Sequence, residues 1–197
     1  MAQAGKRSNV RIEGNANSII PRMMFLTKGV GRHKDRLASF ELALRDAGIA
    51  FCNIVHVTSI IPPNCKLLPA HEGLALLKPG QVTFCVMSRA DTNEPNRLIA
   101  AAIGLAIPQD PSMYGYLSEY HAYGETDEKA GDYAEDLAAS MLASTLGVDF
   151  NIDDSYDMKR EIWRISGKIV KTRHIVQSAE GGKNGHWTTA IAAAVLI

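Results

Sequence analysis

Leu98–Pro108 reads L-I-A-A-A-I-G-L-A-I-P, and the assignment of this stretch decides the fold. It is apolar on both faces, so periodicity alone does not separate strand from helix. Its alanines suit a helix, whereas Gly104 inside it and Pro108 at its end fit a buried strand. Read as a strand over Arg97–Ile107, it joins Arg22–Thr27, Phe51–Val57, Val82–Met87, Tyr114–Tyr123, Trp163–Val176 and Trp187–Leu196. Gly29 and Gly31 are expected to end the first of these, and Pro62-Pro63 to stop the second from continuing as a regular ladder. Pro79-Gly80, Asp91–Asn96 and Glu180–His186 read as turns, and Asn64–Gly80 as a loop region with a short turn of helix around Glu72–Leu77.

Two segments carry a helical period. His33–Ala47 places Leu37, Phe40, Leu44 and Ala47 at spacings of three and four, with Gly48 as the stop. Asp127–Leu146 has Thr126 as a cap, acids in its first turns and Gly147 beyond its end. Two long helices, widely separated among about seven strands, predict an α+β fold rather than a doubly wound parallel sheet. The expected architecture is a four-layer αββα sandwich, two stacked sheets with a helix on each outer face. Residues 1–18, polar and rich in Asn and Gly, read as a flexible N-terminal tail. Residues 19–197 read as a single domain, with no internal repeat and no linker between two cores.

The 197 residues include 46% hydrophobic ones, enough for a real core. Lys plus Arg number 21 and Asp plus Glu 21. A chain so balanced has no electrostatic reason to coat nucleic acid or an anionic membrane, and its charge does little to oppose self-association. The N-terminus lacks the apolar stretch of a signal peptide, and no apolar run reaches the roughly 20 residues that span a bilayer. A cytoplasmic location is expected. Cys52, Cys65 and Cys85 form no C-x-x-C pair and read as reduced core thiols. The six histidines, at 33, 56, 71, 121, 174 and 186, include no H-x-x-x-H or H-x-H pair, so no metal is expected. Glu180–Gly185 lacks phosphate-loop spacing and reads as a hairpin turn.

Three places carry candidate chemistry. In N-I-V-H-V-T-S-I-I-P-P, Asn53–Pro63, a strand delivers Thr58-Ser59 to a sharp turn. A serine at a strained peptide can attack its own preceding carbonyl; the plain alternative is a Thr-Ser pair satisfying local backbone groups. Glu119, in Y-L-S-E-Y-H, is a lone acid among aromatics on a strand. Apolar neighbours would raise its proton affinity and suit it to general acid work; alternatively it lies on a solvated strand face. Glu41, in F-E-L-A-L-R, follows Phe40 on the helix. Pattern alone favours an i,i+4 ion pair with Arg45 over a functional role.

Taken together, F-E-L-A-L-R-D-A-G-I (Phe40–Ile49), the Asn53–Pro63 stretch, A-A-A-I-G-L-A-I-P (Ala100–Pro108) and Y-G-Y-L-S-E-Y (Tyr114–Tyr120) resemble the pyruvoyl-dependent arginine decarboxylases. The alanine-rich Ala190–Val195 fits as well, so the resemblance runs from about Met24 to the end. It implies the αββα sandwich, assembled as a trimer or hexamer with active sites between subunits. It implies cleavage between Thr58 and Ser59 into 1–58 and 59–197, with a covalent pyruvoyl group derived from Ser59. Arginine would be decarboxylated to agmatine through a Schiff base on that group. Glu119 falls on the family's proton donor, Asn53 on its strand asparagine and Glu41 on its guanidinium-binding acid, where members carry Asp. The charge is kept and the arm is longer. The rival readings are the same chemistry on lysine or histidine, and an unprocessed homologue without activity.

Overall fold

The computed structural model describes residues 19–147 and 169–197. The tail expected over 1–18 and the start of the strand expected at Trp163 lie outside them. Nine strands and three helices occur among the described residues. The strands are β1 (Met23–His33), β2 (Asn53–His56), β3 (Ile60–Ile61), β4 (Lys66–Leu68), β5 (Val82–Thr92), β6 (Leu98–Pro108), β7 (Gly115–Tyr123), β8 (Ile169–Glu180) and β9 (Trp187–Leu196). The helices are α1 (Arg36–Asp46), α2 (Ala70–Ala75) and α3 (Asp127–Leu146). One sheet has the order β2-β5-β9-β1-β4 and the other β3-β7-β6-β8, an α+β arrangement of two sheets with few helices.

Strand β6 explains why its sequence shows no alternation: both of its faces are buried. Ala101, Ile103 and Leu105 enter one core cluster with Met24 and Val86 of the other sheet. Ala100, Ala102 and Ala106 turn the other way and meet Ala130, Ala134 and Ala138 of α3. Small side chains on both sides let helix and sheet come close. Gly104 marks the limit of that approach, because a Cβ there would collide with the Ala134 carbonyl. The Ser118 hydroxyl on β7 donates to that same carbonyl.

The same device corrects one sequence expectation. Gly29 and Gly31 do not end β1, which runs on through His33 against β9. They lie beneath α1, where added Cβ atoms would strike the Ala43 and Ser39 carbonyl oxygens. A strand glycine that admits a neighbouring backbone leaves the same mark in sequence as one that breaks the strand. Helix α1 itself starts later than expected, at Arg36. The Asp35 side chain accepts from the Ala38 N–H at 3.0 Å and so caps it. Gly48, at φ 75°, takes the left-handed position beyond its end.

Three further boundaries differ. Lys66–Leu68, read as loop, forms β4 by pairing parallel with Met23–Phe25. That pairing is tertiary and leaves no local signal. Strand β5 continues through Asp91 and Thr92, read as turn, because β9 pairs with it to its end. Likewise β8 extends to Glu180 opposite Leu98.

Replacing Gly104 with Ala forces backbone apart rather than a flexible side chain. Gly104→Ala is expected to destabilise the protein by about 2 kcal/mol, measured by urea unfolding. A change below about 0.5 kcal/mol would contradict the close helix–sheet approach.

Candidate active site

The expected reactive peptide lies where the chain leaves one sheet and enters the other. Strand β2 pairs parallel with β5, and Val57, just past its end, still donates its N–H to the Cys85 carbonyl at 3.1 Å. Two residues later the Ser59 carbonyl accepts from the Leu117 N–H at 2.7 Å, and Ile60 and Ile61 pair with Tyr116 and Gly115 of β7. Thr58 and Ser59 are therefore held from both sides by different sheets. Thr58 is exposed and Ser59 half-buried. An apolar cavity of about 340 Å³ opens beside them, lined by Ile19, Ile20, Pro21, Val57, Thr58 and Phe84 among others.

Glu119 stands on the strand that receives Ser59, two residues beyond Leu117. Leu117 belongs to the core cluster between the sheets, and the two-residue period of a strand gives Glu119 the same face. Its side chain reaches solvent, yet its carboxyl is desolvated enough to titrate above the ordinary value of 4.5. Positive charge on His56 and His121 opposes that rise. Cys85 feels the Glu119 charge in turn; burial is the larger cause that drives its thiol up to about 12. The structure thus brings Ser59 and Glu119 to one edge of the two sheets.

Asn53 begins β2, at the end of the strand away from the crossing, and is exposed. Its carboxamide N–H donates to the Gly80 carbonyl at 2.9 Å, which fixes the side chain to the loop before β5. Glu41 lies elsewhere. It forms the i,i+4 pair with Arg45 that the sequence pattern favours, and it borders a cavity of about 400 Å³ with Arg45, Gly48, Ala50 and Phe51. None of Asn53, Thr58, Ser59 or Glu119 lines that cavity. The β3–β7 pairing therefore joins Ser59 with Glu119, while Asn53 is bonded to Gly80, whose N–H donates to the carbonyl of Phe51 in the wall of the Glu41 cavity.

The comparisons with known proteins decide the family. The model of the family "Pyruvoyl-dependent arginine decarboxylase (PvlArgDC)" matches residues 23–197. The chain belongs to this family. It is 60% identical over 180 residues to the "Probable pyruvoyl-dependent arginine decarboxylase" of Chloroherpeton thalassium, covering 91% of this chain and 99% of that one. It is 58% identical over 180 residues to the protein of the same name in Chlorobaculum tepidum, with the same coverage. It is 56% identical over 179 residues to "Pyruvoyl-dependent arginine decarboxylase 2" of Methanosarcina mazei, covering 91% and 98%.

Two features around these candidate residues of the decarboxylase-family chain were not singled out from sequence. The first is the pair of histidines near Glu119. His56 precedes Ser59 by three residues, and His121 follows Glu119 at the strand period, so the spacing already held the signal. The second is an ionic network that ties α1 to the sheet. Asp91 is nearly buried and accepts from Arg89 at 2.9 Å, Arg36 at 3.0 Å and Thr189 at 2.6 Å. The Arg89 guanidinium lies 4.0 Å from the Phe40 ring centre, next to Glu41. Among the described residues no group of three or more His, Cys, Asp or Glu is arranged to hold a metal, and no helix is long and apolar enough to cross a membrane.

Burial of Asp91 raises its proton affinity, but the bonds from Arg89, Thr189 and Arg36 outweigh this and hold the carboxyl below its ordinary 3.8. A depressed folded-state value contributes stability above the unfolded value, and that contribution is lost as pH falls through the folded one. Asp91→Asn is expected to cost about 2 kcal/mol at pH 7, and the difference from the parent should shrink as pH drops below 3.8. Urea unfolding at several pH values checks this; a pH-independent difference would contradict it.

Proposed function

We propose that the chain cleaves itself between Thr58 and Ser59, converts Ser59 to a pyruvoyl group and decarboxylates L-arginine to agmatine and carbon dioxide. The observation that carries this reading is the family match over residues 23–197 together with Ser59 at the point where two sheets grip one short segment. Ser59 Oγ attacks the Thr58 carbonyl and the peptide becomes an ester. Loss of the Ser59 Cα proton expels the Thr58 carboxylate and leaves dehydroalanine. One water then releases ammonia and leaves a ketone at the new N-terminus. The site fits such a group. The Ser59 carbonyl is anchored by Leu117 N–H, which fixes residue 59 after the bond to Thr58 is gone, and Thr58 borders open space into which a new C-terminus can move.

The pyruvoyl group supplies an electrophilic carbonyl for the substrate amine and a sink for electrons released with carbon dioxide. The protein's own residues do the rest. Glu119, whose proton affinity is raised by desolvation, donates the proton that replaces the lost carboxylate. Asn53 offers a hydrogen-bond donor to the carbonyl or the scissile peptide. Glu41 receives the guanidinium, a planar group that suits bidentate carboxylate pairing. To do so it must exchange Arg45 for the substrate and meet Ser59 across a subunit boundary.

A homotrimer, or a dimer of trimers, supplies that boundary. The exposed apolar side chains of Phe51, Val55 and Val82 near the β2 edge support it, since isolated chains rarely leave such a patch in water. The layer order α1, five-stranded sheet, four-stranded sheet, α3 is our reading of the core clusters: a single αββα domain cut into 1–58 and 59–197 but not separated. A cytoplasmic location agrees with a small amino acid as substrate.

Ser59→Ala should yield a whole, folded and inactive chain on denaturing gels, and Glu119→Gln should still cleave while decarboxylation slows by roughly 10²-fold. Near-normal turnover of Glu119→Gln would remove that residue from the role of acid.

Glu41→Ala should cleave normally and raise KM for arginine. Because Glu41 and Glu119 are assigned to different subunits, co-expressing Glu41→Ala with Glu119→Gln should restore activity at about a quarter of the sites. Complete failure of complementation in mixed oligomers would contradict the shared site.

A further inference from the structure

Decarboxylating an amino-acid carboxylate takes up one proton per turnover, since the carboxylate leaves as neutral carbon dioxide and a hydrogen takes its place on carbon. This inference rests on the reading of Glu119 as the donor. After each turnover Glu119 is a carboxylate and must regain a proton before it can act again. That proton comes from solvent, by way of the ionisable groups that stand beside the carboxyl.

Two imidazoles stand within electrostatic reach of it. His121 follows Glu119 by two residues and shares its face of β7, while its ring packs edge-on against Tyr123 at 6.5 Å between ring centres. His56 ends β2 opposite Cys85, immediately before the segment that carries Ser59 to β7. Both histidines are exposed, so each touches solvent at one end and the Glu119 field at the other. Together with Cys85 on β5, these are the titratable groups whose charge couples to Glu119 from the neighbouring strands. The thiol stays protonated near neutral pH and cannot take part, being pushed up to about 12.

We propose that His56 and His121 form a proton relay that recharges Glu119 between turnovers. An imidazolium gives its proton to the Glu119 carboxylate, becomes neutral, and recovers a proton from water or a buffer acid. One proton enters from solvent for each one that leaves on the product, so the cycle balances. Imidazole is suited to this because it titrates near neutral pH, where both of its forms are present. In this role the two histidines act through Glu119 rather than on the substrate.

The test uses the processed enzyme with both histidines replaced, His56→Asn with His121→Asn. Extent of self-cleavage and the far-ultraviolet spectrum report that the variant folds and matures. At pH 8 kcat for arginine should fall about tenfold, with KM changed less than twofold. Added imidazole, or a small buffer acid of similar strength, should restore kcat in proportion to its concentration, while the parent enzyme shows no such dependence. A purely structural role would not create buffer dependence. The relay is overturned if kcat of the double variant stays within twofold of the parent across pH 6 to 8, or if its loss is not restored by buffer acid. Glu119→Gln is measured alongside. If it keeps full turnover, the donor assignment fails; if it is slow while the histidine variant is normal, the relay alone fails.

Discussion

Everything proposed for this protein depends on one short crossing. Between Val57 and Ile60 the chain leaves β5 and takes up β7, with one backbone hydrogen bond to Cys85 on entry and one to Leu117 on exit. Two sheets therefore fix the two ends of this short segment. The residue at its centre cannot follow either ladder fully, because the ladders belong to different layers. The Thr-Ser pair proposed for cleavage sits at this point. The crossing also sets Ser59 beside the strand that bears Glu119.

The rest of the fold holds the two sheets and their helices in place around that crossing. Alanine and glycine do most of this. Ala130, Ala134, Ala138, Ala139 and Ala143 of α3 are all fully buried, as are Ala100, Ala102 and Ala106 of β6. Such a surface gains little per side chain but allows near contact of backbones, which brings dense dispersion contacts. The same logic governs α1 over Gly29 and Gly31. The Asp91 network then pins the start of α1 to β5 and β9 through Arg36, Arg89 and Thr189. The helix pinned in this way is the one that carries Glu41.

Local chemistry was legible in the sequence and partner choice was not. Helix α3 was bounded correctly at both ends because Thr126 and Gly147 act within their own neighbourhoods: one caps, the other takes φ 63°. Strands β7 and β9 were equally plain, whereas β6 was separated from a helix only by Gly104 and Pro108. Gly29 and Gly31 misled, because a glycine that admits a helix and one that ends a strand look alike until the helix is placed. β4 was missed because its pairing with β1 is its only reason to be extended. Among the candidates, Ser59 and Glu119 stood out from their own sequence neighbourhoods and Asn53 through the family resemblance. Their neighbourhood depends on the β2–β5 and β3–β7 pairings, which no single motif encodes. The i,i+4 pair of Glu41 with Arg45 was predicted by pattern and is present. His56 and His121 were visible only as isolated histidines, since a lone imidazole has meaning only beside the carboxyl it serves.

The central claim is that the crossing breaks at Thr58-Ser59 and leaves a ketone behind. Intact mass spectrometry of the purified protein under denaturing conditions tests it most directly. The account expects two fragments of about 6 and about 15 kDa, by proportion of the 21.4 kDa chain. The larger should be lighter, by one ammonia, than a fragment beginning with serine, and borohydride should add two hydrogens to it. A single uncleaved species that nonetheless decarboxylates arginine, or a larger fragment with a free serine N-terminus in fully active enzyme, would contradict the account.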